Sequence, residues 1–252
     1  MPLNWYIGCS GFHYKEWKTF FYPRGLSQSR WFDYYAEHFN TLELNVTFYR
    51  FPQLRLLEAW YRKAPADFMF SVKAPRLIAH YKQFKETFQL CQDFYATVGM
   101  GLKEKLGAIL FQLPPQLHYA DEVLDRILGN MDPQFTNVLE FRHSSWWKEP
   151  VYRKLADHGI SFCGHSYPGL PDKVVINTPA AYYRFHGVPK LYYSQYDASF
   201  INAVGEALKS KDTLDTAFVY FNNTATEAAL RNAAQLVTAL GLPLRGAGHL
   251  VE

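Results

Sequence analysis

Only three cysteines, Cys9, Cys91 and Cys163, occur in 252 residues, and no two form a CxxC pair. An odd number of scattered thiols fits a reducing compartment better than a disulfide framework, and it excludes a four-cysteine zinc site. No run approaches the ~18 apolar residues of a membrane span. The opening Met1-Pro2-Leu3-Asn4-Trp5 lacks the basic start and apolar stretch of a secretory leader, so a cytoplasmic protein with no membrane partner is expected. Charge of one sign is scarce as well: 26 basic against 23 acidic residues leave +3, with no long basic tract. The electrostatic footprint of a dedicated nucleic-acid binder is therefore missing, although a local basic site is not excluded. Gly8-Cys9-Ser10-Gly11 matches neither GxGxxG nor GxxxxGK(S/T), the phosphate loops of common doubly wound folds.

What is present is aromatic bulk and alternation. Aromatic residues make up 17% of the chain, and their large apolar area suits packing between a sheet and its helices. Short runs rich in Val, Ile, Phe and Tyr recur between amphipathic stretches of helical length, the pattern of βα units. Eight strands are expected, at Trp5–Cys9, Thr41–Thr47, Phe68–Lys73, Gly107–Gln112, Val138–Arg142, Ile160–Gly164, Ala181–His186 and Ala217–Asn222. Helices are expected at Ser29–Phe39, Gln53–Lys63, Phe84–Val98, Asp121–Leu128, Pro150–His158, Phe200–Leu208 and Thr226–Leu240, with irregular connections over 75–83, 168–179 and 187–198. Eight such units in about 250 residues fit one α/β domain over 1–252, a (β/α)8 TIM-type barrel. An open doubly wound sheet would produce a similar alternation.

Read with period two, the strands separate an apolar set from a polar one. Leu42, Leu44 and Val46 alternate with Glu43, Asn45 and Thr47, Leu139 and Phe141 with Glu140 and Arg142, and Tyr183 and Phe185 with Arg184 and His186. Lys73, Gln112 and Asn222 end their strands in the same phase. The polar groups gather at the C-terminal strand ends, where barrels of this type build active sites. Glu43 and Glu140 stand against Lys73, Arg142 and Arg184, an excess of one positive charge that favours an anionic substrate. Glu43, Glu140 and His186 are the candidate acid–base groups, with Ser10, Asn45, Lys73, Gln112, Arg142, Trp146, Arg184 and Asn222 as candidate substrate contacts. The competing reading is a buried ion network, but burying so many charges is too costly to expect for stability alone.

Other candidates carry less. Two glutamates with His165 and His186 could hold one divalent ion, yet no HExxH or tight acid–histidine spacing occurs, and neither metal nor cofactor is expected. Cys9 and Cys163 lack a paired base and read as small buried residues. Phe12, Tyr14, Trp17, Tyr49, Trp146 and Trp147 could stack on a base or sugar, though core packing is their commoner use. Gly8 and Gly11 around Ser10 could present backbone amides to an oxyanion, or simply form a turn.

With these residues in view, the sequence resembles the YecE-like family, known as domain of unknown function 72. The resemblance rests on Ile7-Gly8-Cys9-Ser10-Gly11-Phe12 with Trp17 and Phe21-Tyr22-Pro23, Phe39-Asn40-Thr41-Leu42-Glu43-Leu44-Asn45 with Thr47-Phe48-Tyr49, and Phe70-Ser71-Val72-Lys73. It continues through Leu110-Phe111-Gln112-Leu113-Pro114-Pro115, Leu139-Glu140-Phe141-Arg142-His143 with Trp146, Tyr183-Arg184-Phe185-His186-Gly187 and Val219-Tyr220-Phe221-Asn222-Asn223. It implies a TIM-type barrel, similar to those of the xylose-isomerase and AP-endonuclease group, and phosphodiester or sugar-phosphate chemistry by analogy of fold. The acid and histidine set of a three-metal nuclease is not visible, and Cys9 and Val46 depart from the family's threonine and serine. The first expectation is an enzyme using acid–base catalysis on a phosphorylated sugar, nucleotide or phosphodiester. A nucleic-acid-binding protein without catalysis and a ligand-sensing barrel stand beside it.

Overall fold

In a computed structural model, which describes residues 3–18, 20–246 and 250, the chain closes a barrel of eight parallel strands in sequence order. Met1 and Pro2, which enter the leader argument, and the last residues of the expected domain lie outside that description. The strands are β1 (Asn4–Cys9), β2 (Thr41–Leu44), β3 (Met69–Lys73), β4 (Leu106–Gln112), β5 (Asn137–Glu140), β6 (Ser161–Ser166), β7 (Ala180–Phe185) and β8 (Thr216–Phe221). Closure is made by β8 pairing with β1 from Asn4↔Thr216 to Cys9↔Phe221. Around them lie α1 (Trp31–His38), α2 (Val46–Tyr49), α3 (Leu54–Lys63), α4 (Phe88–Leu102), α5 (Asp121–Leu128), α6 (Glu149–Asp157), α7 (Ala198–Lys209) and α8 (Ala228–Ala239). The fold is the expected TIM-type barrel. Among the described residues no helix links β6 to β7, and no helix is long and apolar enough to cross a membrane.

The differences from expectation have local causes. β2 ends at Leu44 because Asn45 turns helical (φ −96°, ψ −13°) and starts the one-turn α2. Val46 is consequently exposed instead of packed under helices, while the Thr47 hydroxyl donates to the Leu44 and Lys73 carbonyls and serves the backbone. Part of the loop expected over 75–83 winds into a π-helical turn at Leu77–Tyr81. α4 starts at Phe88 instead of Phe84, since Gln83, Phe84 and Glu86 take positive φ values of 48°, 61° and 51°, which no right-handed helix accommodates. From there Cys91, Phe94, Tyr95, Val98 and Leu102 recur at helical spacing and form its buried face.

Period two divides the apolar side chains into two cores. Leu42, Val72, Ile109, Phe111, Leu139, Phe162, Phe185 and Phe221 face outward into the main core beneath the helices. Ala108, Leu110, Val138, Cys163, Tyr182, Phe218 and Tyr220 fill the barrel interior, with Tyr6 packed on them. One pleat further along, at i+2, these same strands present Gln112, Glu140, His165, Arg184 and Asn222. The apolar plug is thus the floor on which a polar layer sits.

One seam of the barrel is held by side chains. β1 and β2 pair in register only at Cys9↔Leu42. The Tyr35 hydroxyl, from α1, accepts from the Cys9 amide at 2.8 Å and donates to the Thr41 carbonyl at 3.0 Å. Below it Asn40 accepts from the Ile7 amide and donates to the Trp5 carbonyl. Gly8 is required here, because a Cβ would lie 2.4 Å from Thr41 O and 2.8 Å from the Tyr35 hydroxyl. Its small size therefore serves the seam.

Candidate active site at the barrel mouth

The polar layer is organised by Arg184. Leaving β7 in the inward phase, its guanidinium places Nη2 2.6 Å from Glu43 Oε1 on β2 and Nη1 2.5 Å from Glu140 Oε2 on β5. All three residues are buried. Glu43 uses its other oxygen to accept from the Tyr182 hydroxyl at 2.6 Å. Glu140 Oε1 meets Arg142 Nη2 at 2.6 Å and His186 Nε2 at 2.9 Å. Asn222 Nδ2 lies 2.9 Å from His186 Nδ1. With that amide donating, the neutral imidazole carries its proton on Nε2 and gives it to Glu140.

These neighbours decide protonation. Burial alone would raise the Glu140 pKa, but Arg142, Arg184 and His186 outweigh it and hold the carboxyl well below its usual range. Burial, then Arg142 and Arg184, keep His186 far below its ordinary value, so its ring is neutral. His165 is lowered to about 4, chiefly by burial. Its Nε2 is 3.1 Å from the Phe141 carbonyl, to which it donates, and its Nδ1 is buried without a partner. Cys9 and Cys163 are buried thiols whose pKa is raised, mainly by burial, which makes them poor nucleophiles at neutral pH.

Of the eleven residues singled out from sequence, Glu43, Glu140, Arg142, Arg184, His186 and Asn222 form one hydrogen-bonded assembly. Arg142 is at its upper edge: its guanidinium lies 4.0 Å over the Tyr167 ring, its side chain is 8% exposed, and its Nε is buried and unpartnered. Lys73 is half-buried at the end of β3, with Nζ 4.0 Å over the Phe48 ring and no carboxylate within ion-pairing distance among the described residues. Burial and Arg184 push it down to about 7, against the pull of Glu140 and Glu43. Gln112 is buried at the end of β4 and donates to the Leu113 carbonyl. Ser10 Oγ and Asn45 Oδ1 are buried and unpartnered.

Trp146 is placed elsewhere. It is fully buried, donates from Nε1 to the Leu117 carbonyl at 2.7 Å and stacks on Phe141 at 4.3 Å, on the helix side of β5. It is a core residue, because Phe141 points outward and takes Trp146 with it. Of the six aromatics noted for the mouth, Tyr49 stands out at 65% exposure, while Trp17 is buried. Sequence reading passed over Tyr182, Tyr167 and Phe48, which contact Glu43, Arg142 and Lys73. Tyr182 was within reach, since it lies two residues before Arg184 and shares its phase. Tyr167 and Phe48 lie beyond their strands, where parity carries no information. Among the described residues no three His, Cys, Asp or Glu side chains are grouped to hold a metal ion.

The comparisons agree with this architecture. A structure of a DUF72 family protein from Thermotoga maritima superposes with a TM-score of 0.86 at 27% identity, covering 94% of this chain and 99% of that one. One from Enterococcus faecalis gives 0.81 at 18% identity over 95% and 96% of the two chains, a likeness of fold. The protein YunF of Bacillus subtilis is 27% identical over 156 residues, 59% of this chain and 54% of its own length. YecE of Escherichia coli is 25% identical over 127 residues, 50% and 46% of the two. The chain thus spans about half the length of these curated relatives. The family model described as "Protein of unknown function DUF72" matches residues 6–249, from the first barrel strand to beyond the last helix, and the chain belongs to that family.

Proposed function

We propose that the protein is an enzyme acting on a small anionic molecule, of the class of phosphorylated sugars, nucleotides or related esters, by acid–base chemistry at the barrel mouth. The observation that carries this reading is the state of Arg142. Glu140 fixes one of its nitrogens, Tyr167 fixes its plane, and its buried Nε still lacks an acceptor. A guanidinium oriented in advance, with a donor unspent, suits a phosphate or carboxylate oxygen. Arg184 also has a buried Nε without a partner, but both of its terminal nitrogens are committed to Glu43 and Glu140, and it acts as the keystone of the layer.

The roles given to the acidic groups shift accordingly. Glu140 is locked as a carboxylate, Glu43 is saturated by Arg184 and Tyr182, and His186 is neutral between two arginines. In this reading they position Arg142 and Arg184, and His186 Nε2 is the proton closest to the reaction. Lys73, pushed down to about 7, is the side chain poised to exchange a proton at neutral pH.

The test uses inorganic phosphate as probe, titrated calorimetrically into the protein and into Arg142→Leu. Binding that weakens about tenfold or more in the variant supports the reading, as expected for a lost hydrogen bond to a charged group. Equal binding in both, or none in either, overturns it.

A second reading, a nucleic-acid-binding surface, is favoured by one arrangement. Arg76 lies 5.4 Å from the ring of Tyr49 and 5.3 Å from that of Tyr81, and both tyrosines are 65% exposed. Exposed rings flanking a cation suit stacked bases, and this reading requires affinity for single-stranded oligonucleotides that falls steeply with salt.

A further inference from the structure

His165 is fully buried on β6, two residues beyond Cys163 and therefore in the inward phase above the apolar plug. Its Nε2 donates to the Phe141 carbonyl at 3.1 Å, and this bond sets the tautomer: in the neutral ring Nδ1 carries a lone pair and can only accept. The two nitrogens project from opposite sides of the imidazole. With Nε2 turned to β5, the Nδ1 lone pair faces away from that strand, toward the side on which β7 pairs His165 with Arg184. Among the described residues it meets no donor there, and a buried acceptor without one is costly to keep. The surroundings are those of the anion site. The His165 and His186 rings meet edge to face with centres 5.8 Å apart, and the Tyr167 ring lies 6.1 Å from His165 and 5.6 Å from His186. The Arg142 guanidinium lies 4.0 Å over that same Tyr167 ring, so guanidinium and imidazole are within reach of one small molecule. Trp147 packs edge to face on His165 at 4.8 Å and brings a further buried atom without a partner, the donor Nε1.

We propose that His165 is a substrate-binding residue whose Nδ1 accepts a hydrogen bond from an alcohol hydroxyl of the anion held by Arg142, which makes the ligand a polyol or sugar phosphate. The inference rests on the anionic-substrate reading above and narrows it. An acceptor with its tautomer fixed requires a donor from its ligand, and the choice is a hydroxyl or an ammonium. An ammonium would join Arg142 and Arg184 in a layer whose two carboxylates are already paired with them. A hydroxyl adds no charge, and while it donates to Nδ1 its lone pairs can accept from a donor such as Trp147 Nε1. Arg142 would hold the phosphate end. A site that pairs a buried acceptor with a ligand hydroxyl discriminates against the analogue that lacks it, because the acceptor is then left unpaired.

Glycerol 3-phosphate and propyl phosphate are the probes, since they share the phosphate and the carbon chain and differ only in hydroxyls. Titrated calorimetrically into the protein, glycerol 3-phosphate should bind about fivefold more tightly or better. In His165→Phe, which has no acceptor at this place, the ratio of the two affinities should fall to about one. A second measurement uses the unaltered protein with its histidine rings labelled with nitrogen-15. The His165 Nδ1 resonance should be that of an unprotonated nitrogen, and should move upfield with glycerol 3-phosphate but not with propyl phosphate. Equal affinity for the two esters means that solvent serves Nδ1; it overturns the hydroxyl assignment and leaves phosphate binding at Arg142 standing. A preference that survives in His165→Phe, a protonated Nδ1, or an Nδ1 resonance indifferent to glycerol 3-phosphate also overturns the role of His165 alone. Binding of neither ester, nor of inorganic phosphate, overturns the anionic reading and this inference with it.

Discussion

Arg184 reaches from β7 across the barrel to Glu43 on β2, with Nη2 2.6 Å from Oε1 and both side chains withdrawn from solvent. The same guanidinium holds Glu140 through Nη1. One cation thus bridges two carboxylates that would otherwise repel each other over an apolar plug, Arg142 supplies the second positive charge, and the polar layer depends on both. Such burial is tolerable because the geometry is close to ideal and Tyr182, Arg142 and His186 take up the remaining carboxylate lone pairs.

Arg184→Met should therefore destabilise the protein by about 3–5 kcal/mol, the range for stripping a buried charge of its partner. Urea unfolding of the variant measures it. The additional change Glu43→Gln should recover part of the loss, because it removes one of the stranded charges. A loss under about 1 kcal/mol, as for an exposed pair, would contradict this account.

Stability should rise with pH through the weakly acidic range. His165 is held to about 4 when folded, chiefly by burial, and returns to about 6.5 when unfolded. Between those values the unfolded chain binds the extra proton, so the contribution is complete above about pH 6.5 and lost as pH falls toward about 4. His186, lowered further, acts in the same direction, and Glu140 extends the loss below the usual carboxylate range. The slope for each histidine is about 1.4 kcal/mol per pH unit. Denaturant titrations at a series of pH values should show it, and His165→Asn should flatten it; a pH-independent stability from 4 to 7 would refute the assignment.

Tyr35→Phe should open the β1–β2 seam. The hydroxyl serves the Cys9 amide and the Thr41 carbonyl, and its removal leaves buried backbone groups unpaired at a cost of about 1–3 kcal/mol. Amide hydrogen exchange at Cys9 should quicken more than in the well-paired β7–β8 ladder. Unchanged exchange at Cys9 would mean that the seam holds without Tyr35.

Trp146→Phe separates core from mouth. It removes the donor to the Leu117 carbonyl and part of the stack on Phe141, with an expected stability loss of about 1–3 kcal/mol. Phosphate affinity should be unchanged. Weaker phosphate binding in a variant of normal stability would return Trp146 to the substrate site.

Much of this was legible in the chain itself. Glu140 with Arg142, and Arg184 with His186, are two residues apart, at and just beyond the ends of strands flanked by outward aromatics, so their shared phase is a local property. The missed features lie where strand phase ends: Asn45 turns the chain into α2, which carries Phe48, Tyr167 stands in the connection after β6, and Trp146 follows a turn that carries it to the outer face. The start of α4 was misplaced because Gln83, Phe84 and Glu86 adopt left-handed backbone that tertiary packing imposes and propensity disfavours. His165 was visible as an inward histidine, but its unpartnered Nδ1 was not.

By itself the amino-acid sequence determined the alternation of strands and helices, the two faces of each strand and the side chains that would share the barrel interior, because these follow from backbone periodicity within a few residues. Only the tertiary structure decided which charges neutralise which. Arg184 meets Glu43 from 141 positions away, and that pairing exists only once the barrel has closed. The same closure commits the carboxylates, strips water from His186 and leaves Lys73 without a counterion. Reactivity at the mouth is therefore set by long-range geometry and desolvation, neither of which any single segment contains.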